Sequence, residues 1–388
     1  MVDLRIDFAG VEFPNPVVVA AGEPGLSGKH LEKCAKSGAG GLVTKTIRIQ
    51  SGPEILSFIP RPRFWMVKST GHTIGMMNVA GSSDIEPKKW VEDEIPIARK
   101  AGIPLIVSIN AGSEIEHWTR LAKMMDEAGA DMLELDFACL FTYAKWGLKV
   151  PLSHDPILAA EVVRAIKRCV SIPVMVKLPA EVLSLGEIAG TVEKAGADAV
   201  SAINTIRGFA GVNINTGIPY LPHLSGYSGP AIKPIALRSV IEVAKAVDIP
   251  VSGIGGLMNW EDAIEMMMVG ASTVQVCTAI LWKGVGVIGH IVKGIEKFLE
   301  EKGYTTPKEI VGKALEYVVP YGELEVHPLK ANVNLGTCTG PRCGICASVC
   351  VYDAIRSRNG KIKVDLGKCK GCGLCLQLCP VGAIELRI

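Results

Sequence analysis

The chain has 388 residues, which exceeds one ordinary domain but suits a barrel of about 250–300 residues with a small appended domain. Lysine and arginine number 41 against 39 acidic residues, and this near balance gives no reason to expect nucleic-acid or membrane partners. The first ten residues contain three charges and no apolar core, so we expect no secretory signal and a reducing, cytoplasmic location. In that compartment the 12 cysteines indicate metal binding before disulfides.

Two kinds of turn alternate along most of the chain. Gly-Ala precedes an apolar run at Gly38, Gly129, Gly196 and Gly270, and Ile-Pro precedes one at Pro104, Pro173 and Pro250. Glycine suits the left-handed residue that ends a helix, and proline can open a strand because no ladder donor is needed there. With a further start at Pro16, the runs predict eight strands: Val17–Ala21, Gly41–Lys45, Leu105–Asn110, Met132–Asp136, Val174–Lys177, Ala199–Ile203, Val251–Gly253 and Thr273–Val276.

Helical periodicity separates most of these strands, as in the apolar positions Ile115, Trp118 and Leu121. Strands alternating with helices predict an α/β chain with a (β/α)8 barrel, and a doubly wound open sheet is the rival. The stretch from Gln50 to Ile95 is longer than a βα unit needs, so we expect an insertion over one barrel end. We place the barrel at residues 1–304, a linker with a helix at Lys308–Val319 at residues 305–332, and a further domain at 333–388.

The last segment carries two cysteine runs. Cys369-x2-Cys372-x2-Cys375-x3-Cys379-Pro380 has the spacing of bacterial ferredoxins, and Cys338-x4-Cys343-x2-Cys346-x3-Cys350 precedes it with a longer first gap. In this arrangement the fourth cysteine of each run reaches the other cluster, which assigns Cys350 to the second cluster and Cys379 to the first. A zinc ribbon is the alternative, and it uses two well-separated cysteine pairs. We therefore predict a small α+β ferredoxin domain with two [4Fe–4S] clusters.

The carboxyl ends of the predicted strands carry several polar side chains, among them Lys45, Asn110, Lys177 and Asn204. Active sites of (β/α)8 barrels lie at these ends, and a phosphate is often held after strands seven and eight. No Gly-x-Gly-x-x-Gly turn opens a βαβ unit, so we expect no Rossmann domain. A phosphate-bearing cofactor that exchanges electron pairs with a substrate and single electrons with clusters indicates FMN.

Short strings along nearly the whole chain point to one family. They are VTKT, MMN at Met76–Asn78, LELDFACL, VMVKLPA, AINT, YSGPAIKPIAL, SGIGG and QVCTA, followed by the cysteine-rich tail. Together they resemble the FMN and iron–sulfur half of dihydropyrimidine dehydrogenases and, more distantly, the dihydroorotate dehydrogenases. The resemblance implies an FMN held by Ala21, Lys45, Thr46, Asn110, Lys177, Gly229, Ile254, Gly255, Gly256, Cys277 and Thr278. It also implies substrate contacts from Asn78, Asn204 and Thr205.

The same resemblance implies a catalytic role for Cys139, which aligns with the proton-transferring cysteine of the family. One carbon of the C=C bond exchanges a hydride with the flavin. An acid or base must then give a proton to the neighbouring carbon or take one from it. A thiol with a pKa of about 8.5 can serve. The alternative for Cys139 is a small buried hydrophobic residue, which is common for cysteine.

This chain departs from the family in the substrate loop. The family has Asn-Leu-Ser-Cys-Pro where this chain has Asp136, Phe137, Ala138, Cys139 and Leu140. An asparagine amide both donates and accepts, whereas an ionised Asp136 only accepts, and Ala138 lacks a hydroxyl. A buried unmatched carbonyl costs on the order of 1–3 kcal/mol, so both changes weaken the expected affinity for uracil. We keep Asp136 as a substrate-binding residue.

We therefore expect an oxidoreductase that reduces or forms a polarised C=C bond, with uracil or thymine and their 5,6-dihydro forms as the first choice. Electrons would come from an NAD(P)H- and FAD-type partner subunit or a ferredoxin, and we expect an oligomer. One alternative is the same chemistry on another cyclic or enoyl substrate. Another is an electron-transfer subunit without a substrate. Dihydroorotate oxidation is disfavoured because that family normally lacks an appended two-cluster domain.

Overall fold

The computed structural model describes residues 2–49, 62–138, 150–325, 327–340, 342–358 and 361–388. The chain forms two compact units, Met1–Tyr317 and Val318–Ile388. None of the helices in the described ranges combines the length and the apolar character that crossing a bilayer requires.

The described part of the first unit contains strands of three to seven residues. In chain order they are β1 (Ile6–Phe8), β2 (Val11–Phe13), β3 (Val17–Val19), β4 (Gly41–Val43), β5 (Phe64–Ser69), β6 (His72–Asn78), β7 (Leu105–Ile109), β8 (Met132–Asp136), β9 (Val174–Leu178), β10 (Ala199–Ala202), β11 (Ile206–Gly208), β12 (Ser225–Ser228), β13 (Val251–Ile254) and β14 (Ala271–Val276). Its helices are α1 (Gly28–Ala35), α2 (Pro87–Lys89), α3 (Ile95–Arg99), α4 (Ile115–Glu127), α5 (Pro156–Lys167), α6 (Leu185–Lys194), α7 (Lys233–Ala244), α8 (Trp260–Met268), α9 (Thr278–Lys283) and α10 (Gly286–Lys302).

Eight of these strands close into a parallel barrel in the order β3-β4-β7-β8-β9-β10-β13-β14, with β14 pairing back to β3. They are the eight strands that the sequence predicts, so the (β/α)8 barrel is confirmed and the doubly wound sheet is excluded. Their residues are almost all buried, because helices cover the outside and side chains fill the inside. This packing explains why the strands appear in the sequence as continuous apolar runs.

Local signals fix where the helices begin and end. Ser27, Asp155 and Asn259 cap α1, α5 and α8, and each side chain accepts a hydrogen bond from a backbone N–H in the first turn. The glycines of the four Gly-Ala turns all have positive φ, between 92° and 118°. Only glycine adopts this backbone without strain, which is why these turns are so regular in the sequence.

A four-stranded antiparallel sheet, β11-β12-β6-β5, is built from two segments far apart in the chain. Asn78 of β6 lies opposite Gly226 of β12, and β5 and β6 belong to the predicted insertion between Gln50 and Ile95. The first two strands of the chain, β1 and β2, form an antiparallel hairpin. The rings of Phe8 and Phe13 pack edge to face in this hairpin, with centroids 6.0 Å apart.

The predicted helix at Lys308–Val319 is wrong. The structure has two separate 3-10 turns, Pro307–Ile310 and Leu315–Tyr317. Gly312 lies between them with a φ of 74°, and a residue in this left-handed region cannot continue a right-handed helix.

The described part of the second unit contains two small antiparallel sheets and two short α-helices. Strand β15 (Lys330–Val333) pairs with β18 (Ile384–Arg387), and β16 (Ile355–Arg358) pairs with β17 (Lys361–Val364). The helices are α11 (Ile345–Ser348) and α12 (Leu374–Gln377), each preceded by a left-handed glycine. The two cysteine runs therefore enter equivalent helices, which is the α+β ferredoxin architecture that the sequence predicts.

Candidate active site

A cavity of about 430 Å³ lies at the carboxyl ends of the barrel strands and extends under the β11-β12-β6-β5 sheet. This volume is in the usual range for a cofactor or small-molecule site. Most of the predicted residues line it: Ala21, Lys45, Thr46, Asn78, Asp136, Lys177, Asn204, Thr205, Ile254, Gly255, Gly256, Cys277 and Thr278. Cys139, the predicted catalytic residue, lies outside the described residues.

Two predicted cofactor residues do not line this cavity. Asn110 is buried behind its wall, where its side-chain amide donates to the Asp136 carbonyl at 2.6 Å. Gly229 has a φ of 95°, and a Cβ atom on it would lie 3.1 Å from the Cα of Gly75. In this structure Asn110 holds the end of β8 in place, and Gly229 lets the chain pass close to β6.

Each of the two cavity lysines lies beside a carboxylate. Lys45 Nζ is 2.9 Å from Glu23 Oε1, with both side chains largely buried. Lys177 Nζ is 3.6 Å from Glu134 Oε1, and Ser201 donates to the other oxygen of Glu134 at 3.0 Å. The Lys177 contact is too long for a hydrogen bond, so its ammonium keeps donors for a ligand in the cavity.

Three side chains of the predicted substrate site are held by hydrogen bonds. Asn78 donates to the Gly226 carbonyl at 3.0 Å, and Asn204 donates to the Ala138 carbonyl at 3.1 Å. Asp136 accepts from the Ala138 N–H at 3.1 Å and from the Thr46 hydroxyl at 3.4 Å. Both backbone groups of Ala138 are thus fixed by cavity residues, immediately before Cys139 in the sequence.

Cys277 lies at the start of α9 with its thiol toward the cavity. The residue keeps some exposure to the cavity, but the sulfur lies deep in the protein. This burial raises the pKa of the Cys277 thiol to about 12. A Cβ atom on Gly22 would approach Cys277 Sγ to 2.7 Å, so the chain after β3 fits against this sulfur only as glycine. Cys277 is therefore a neutral thiol at physiological pH and a packing neighbour of the site.

The cavity presents polar groups that suit a heterocyclic cofactor. Gln275 Oε1 and Ser225 Oγ are buried, line the cavity and have no hydrogen-bond partner among the described residues. Buried polar atoms of this kind are rare unless a ligand or water satisfies them. Together with the donors of Lys177 and the hydroxyl of Thr278, they match the alternating carbonyl and N–H groups of a flavin ring and the hydroxyls of its side chain. The residues present fit FMN.

Several residues of the site escaped prediction from the sequence. Glu23 follows β3 in the loop, and Glu134 points into the barrel two residues before the end of β8. Gln275 faces the cavity from within β14. The available signal was a charged or amide side chain inside a buried strand, which is expensive without a partner. The string Gly284–Gly289 has the glycine spacing of a dinucleotide turn, but it begins directly after α9 and runs into the first turn of α10, so it does not follow a strand.

The second unit places its cysteines in two groups. Cys350 lies with Cys369, Cys372 and Cys375 around one small cavity, which is the set predicted for the second cluster. In the other run, burial raises the pKa of Cys346, and the neighbouring sulfurs of Cys338 and Cys343 act in the same direction. Within the described ranges, no three or more His, Cys, Asp or Glu side chains are placed to hold a single metal ion.

Backbone N–H groups point at several of these sulfurs. Ala331 donates to Cys369 at 3.3 Å, and Gly340 donates to Cys338 at 3.4 Å. At the fourth position of each run the pattern repeats, with Ala354 donating to Cys350 at 3.3 Å and Ala383 donating to Cys379 at 3.2 Å. Such bonds stabilise thiolates and tune the potential of a bound cluster.

Comparisons with known proteins agree with both parts of the chain. A family model described as dihydroorotate dehydrogenase matches residues 3–299, and one described as 4Fe-4S binding domain matches residues 362–385. The NAD-dependent dihydropyrimidine dehydrogenase subunit PreA of Escherichia coli (strain K12) is 34% identical, covering 99% of this chain and 95% of that protein. The catalytic subunit of dihydroorotate dehydrogenase B (NAD(+)) of Pyrococcus abyssi is 37% identical, covering 81% of this chain and 99% of its own. The corresponding subunit of Methanothermobacter thermautotrophicus is 35% identical, with coverages of 80% and 98%.

Proposed function

Since the chain belongs to the dihydroorotate dehydrogenase family, we propose that it reduces the C=C bond of uracil or thymine to the 5,6-dihydropyrimidine. The coarser activity is established by that membership: the chain is an oxidoreductase that uses FMN and an iron–sulfur domain. A relative that matches along nearly its whole length is a dihydropyrimidine dehydrogenase subunit, and this supports the pyrimidine assignment.

The observation that carries the proposal is the convergence of Asn78, Asn204 and Thr205 on the cavity that also holds Lys177. A pure electron relay needs no amides or hydroxyls that could orient an organic substrate. The side-chain NH2 group of each amide donates to a backbone carbonyl, and this bond fixes the amide in the cavity wall while its oxygen remains an acceptor. Fixed amides of this kind suit the alternating C=O and N–H groups of a pyrimidine.

Bound FMN supplies hydride exchange with one carbon of the substrate and single-electron exchange with the iron–sulfur clusters. The chain's own residues orient the substrate, complement charge and move the proton. Lys177, whose ammonium has donors to spare, is the proposed electrostatic partner for negative charge on the ring system. Cys139 is the proposed proton donor to the neighbouring carbon, on the basis of the sequence.

Electrons are proposed to enter through the second unit from a partner. Cys338, Cys343, Cys346 and Cys379 are the proposed ligands of one [4Fe–4S] cluster, and Cys350, Cys369, Cys372 and Cys375 those of the other. The PreA relative is itself named a subunit of an NAD-dependent enzyme. We accordingly propose an NAD(P)H- and FAD-containing partner subunit, with a ferredoxin as the other candidate donor.

The test is to reduce the purified holoenzyme without oxygen and to add uracil, thymine, orotate or a panel of enoyl compounds. Flavin absorbance should return with uracil or thymine. Cys139→Ala should keep the flavin spectrum and slow this step by about 10²–10⁴-fold, the usual contribution of general acid catalysis. Rapid electron exchange with ferredoxin, together with no response to any organic compound, would show a relay instead.

A second candidate is the same chemistry on a non-pyrimidine cyclic or enoyl substrate. Asp136 favours it, because its carboxylate offers only acceptors to a ligand and already accepts from Thr46 and Ala138. A pyrimidine carbonyl facing this group would find no donor. Reoxidation by an enoyl compound but not by uracil would select this candidate.

A further inference from the structure

The ionisable side chains that line the described part of the cavity are those of Glu23, Lys45, Asp136, Lys177, His223 and Cys277, the last a neutral thiol. Both lysines have carboxylate neighbours, and Asp136 adds a carboxylate whose two oxygens accept from a hydroxyl and a backbone N–H. The lysines and carboxylates of this site, with Glu134 included, therefore sum to a net negative charge.

The Glu23–Lys45 contact matters most for an incoming ligand. Its 2.9 Å distance makes it a charge-assisted hydrogen bond. The Lys45 side chain is only 7% exposed to solvent and the Glu23 side chain 19%. Solvent screens such a pair weakly. A ligand carboxylate could reach the Lys45 ammonium only by displacing Glu23 or by lying beside it.

The other lysine offers no better partner for a ligand carboxylate. Glu134 is fully buried and its Oε1 has no hydrogen-bond partner among the described residues, so the nearby Lys177 ammonium is its compensation. Drawing that ammonium away from Glu134 toward a localised carboxylate would leave a buried carboxylate uncompensated, which is costly, whereas its spare donors can serve diffuse charge on a ring from their present position. A phosphate held after strands seven and eight, where Gly255 and Gly256 lie, would be bound by backbone N–H groups and would need neither lysine.

We propose that this cavity selects an uncharged ring and excludes the same ring bearing a carboxylate, with Glu23 as the specificity-determining residue. The inference rests on the proposed function, because it concerns the substrate class of that site. It separates this chain from an activity on dihydroorotate or orotate, whose ring carries a carboxylate. Like charges placed together cost several kcal/mol, so the expected discrimination is about 100-fold or more.

The test uses uracil and orotate, which differ only by the ring carboxylate. Each is titrated into the oxidised holoenzyme, and the shift of the visible flavin spectrum gives the Kd. Wild type should bind orotate about 100-fold or more weakly than uracil. Glu23→Gln should tighten orotate binding by about tenfold or more and leave uracil within about threefold. Glu23→Asp keeps the charge and should behave as wild type.

A second comparison does not depend on the variants. Orotate methyl ester is larger than orotate but uncharged, so wild type should bind the ester more tightly if charge decides and more weakly if space decides. Orotate binding that equals uracil binding in wild type, or that Glu23→Gln leaves unchanged, would overturn the inference. Failure of uracil and thymine to reoxidise the reduced enzyme would overturn the proposed function alone. The tighter binding of orotate by Glu23→Gln is measured on the oxidised enzyme and does not depend on turnover.

Discussion

Cys277 of the barrel and Cys379 of the ferredoxin unit lie in opposite environments, whereas burial raises the pKa of Cys346 and Cys375 in the ferredoxin unit as it does in the barrel. In the barrel, burial holds the Cys277 thiol protonated, with a pKa raised to about 12. In the ferredoxin unit, backbone N–H groups from residues 381–384 lower the pKa of Cys379, whose sulfur is little covered. The first environment produces an inert thiol and the second favours the thiolate that a metal needs. Cysteine function therefore follows from what surrounds the sulfur.

The hydrophobic cores of the two units also differ, both in size and in whether they contain cysteine sulfurs. The barrel buries several tens of apolar side chains in one cluster that includes Trp90 and Trp118. In the ferredoxin unit the described buried cluster comprises three isoleucines, Ile355, Ile362 and Ile384, two alanines and the sulfurs of Cys369 and Cys375. A core this small rarely stabilises a fold alone, and metal ligation supplies the rest. The barrel should thus be indifferent to iron, and the tail should depend on it.

The largest expected effect is that of removing iron. Chelation under reducing conditions should unfold the ferredoxin unit, because binding free energy in such sites is folding free energy. Limited proteolysis followed by mass spectrometry should then cut residues 318–388 about tenfold faster or more, with the barrel unchanged. Removing FMN is the matched control and should leave the tail resistant. A tail that resists proteolysis without iron would contradict this contrast between the units.

The next effect concerns how tightly Cys277 is packed. Gly22→Ala places a Cβ atom 2.7 Å from Cys277 Sγ, and overpacking of this kind costs about 1–3 kcal/mol in unfolding free energy. Cys277→Ala in the same chain should recover most of the loss, as measured by urea unfolding. Gly286→Ala is the control, since nothing lies within 4 Å of a Cβ atom there. An additive result in the double variant would show that the two residues do not touch.

The smallest effect, counted per pH unit, is a pH dependence. The Cys277 pKa rises from 9.0 to about 12 on folding, so the thiol contributes stability that is complete below pH 9 and is lost as pH rises toward 12. Between these values the unfolding free energy of wild type should fall faster than that of Cys277→Ala, by up to about 1.4 kcal/mol per pH unit. Parallel slopes from pH 9 to 11 would show that water in the cavity solvates the thiolate.

The barrel could be predicted because each strand is a local signal. Four Gly-Ala turns and three Ile-Pro turns mark where apolar runs begin, and burial on both faces of the strands keeps those runs uninterrupted. The capping sheet could not be predicted in this way. Its β6 and β12 strands pair Asn78 with Gly226, so the contact depends on the closed barrel bringing distant loops together.

The residues of the candidate site also fall into those with a local signal in the sequence and those that only the three-dimensional fold brings together. Most of the residues that strand-end position and family resemblance predicted do line the cavity, including Lys45 and Lys177. The acids beside those lysines were missed, because Glu23 lies in a loop and Glu134 lies on a neighbouring strand. Pairing of charges is set by three-dimensional distance, and no spacing in the sequence encodes it. Asn110 was placed in the cavity for its strand-end position, but it hydrogen-bonds the chain behind the wall.

The hairpin β1–β2 closes one end of the barrel interior. Phe8 and Phe13 pack against Val18, Ile106 and Met175 at the end away from the cavity. In the described part of the chain, these side chains fill that end of the barrel interior, which leaves the carboxyl ends of the strands as the side from which organic molecules reach the cavity. Substrate and product should therefore occupy the same space in turn, and product should compete directly with substrate.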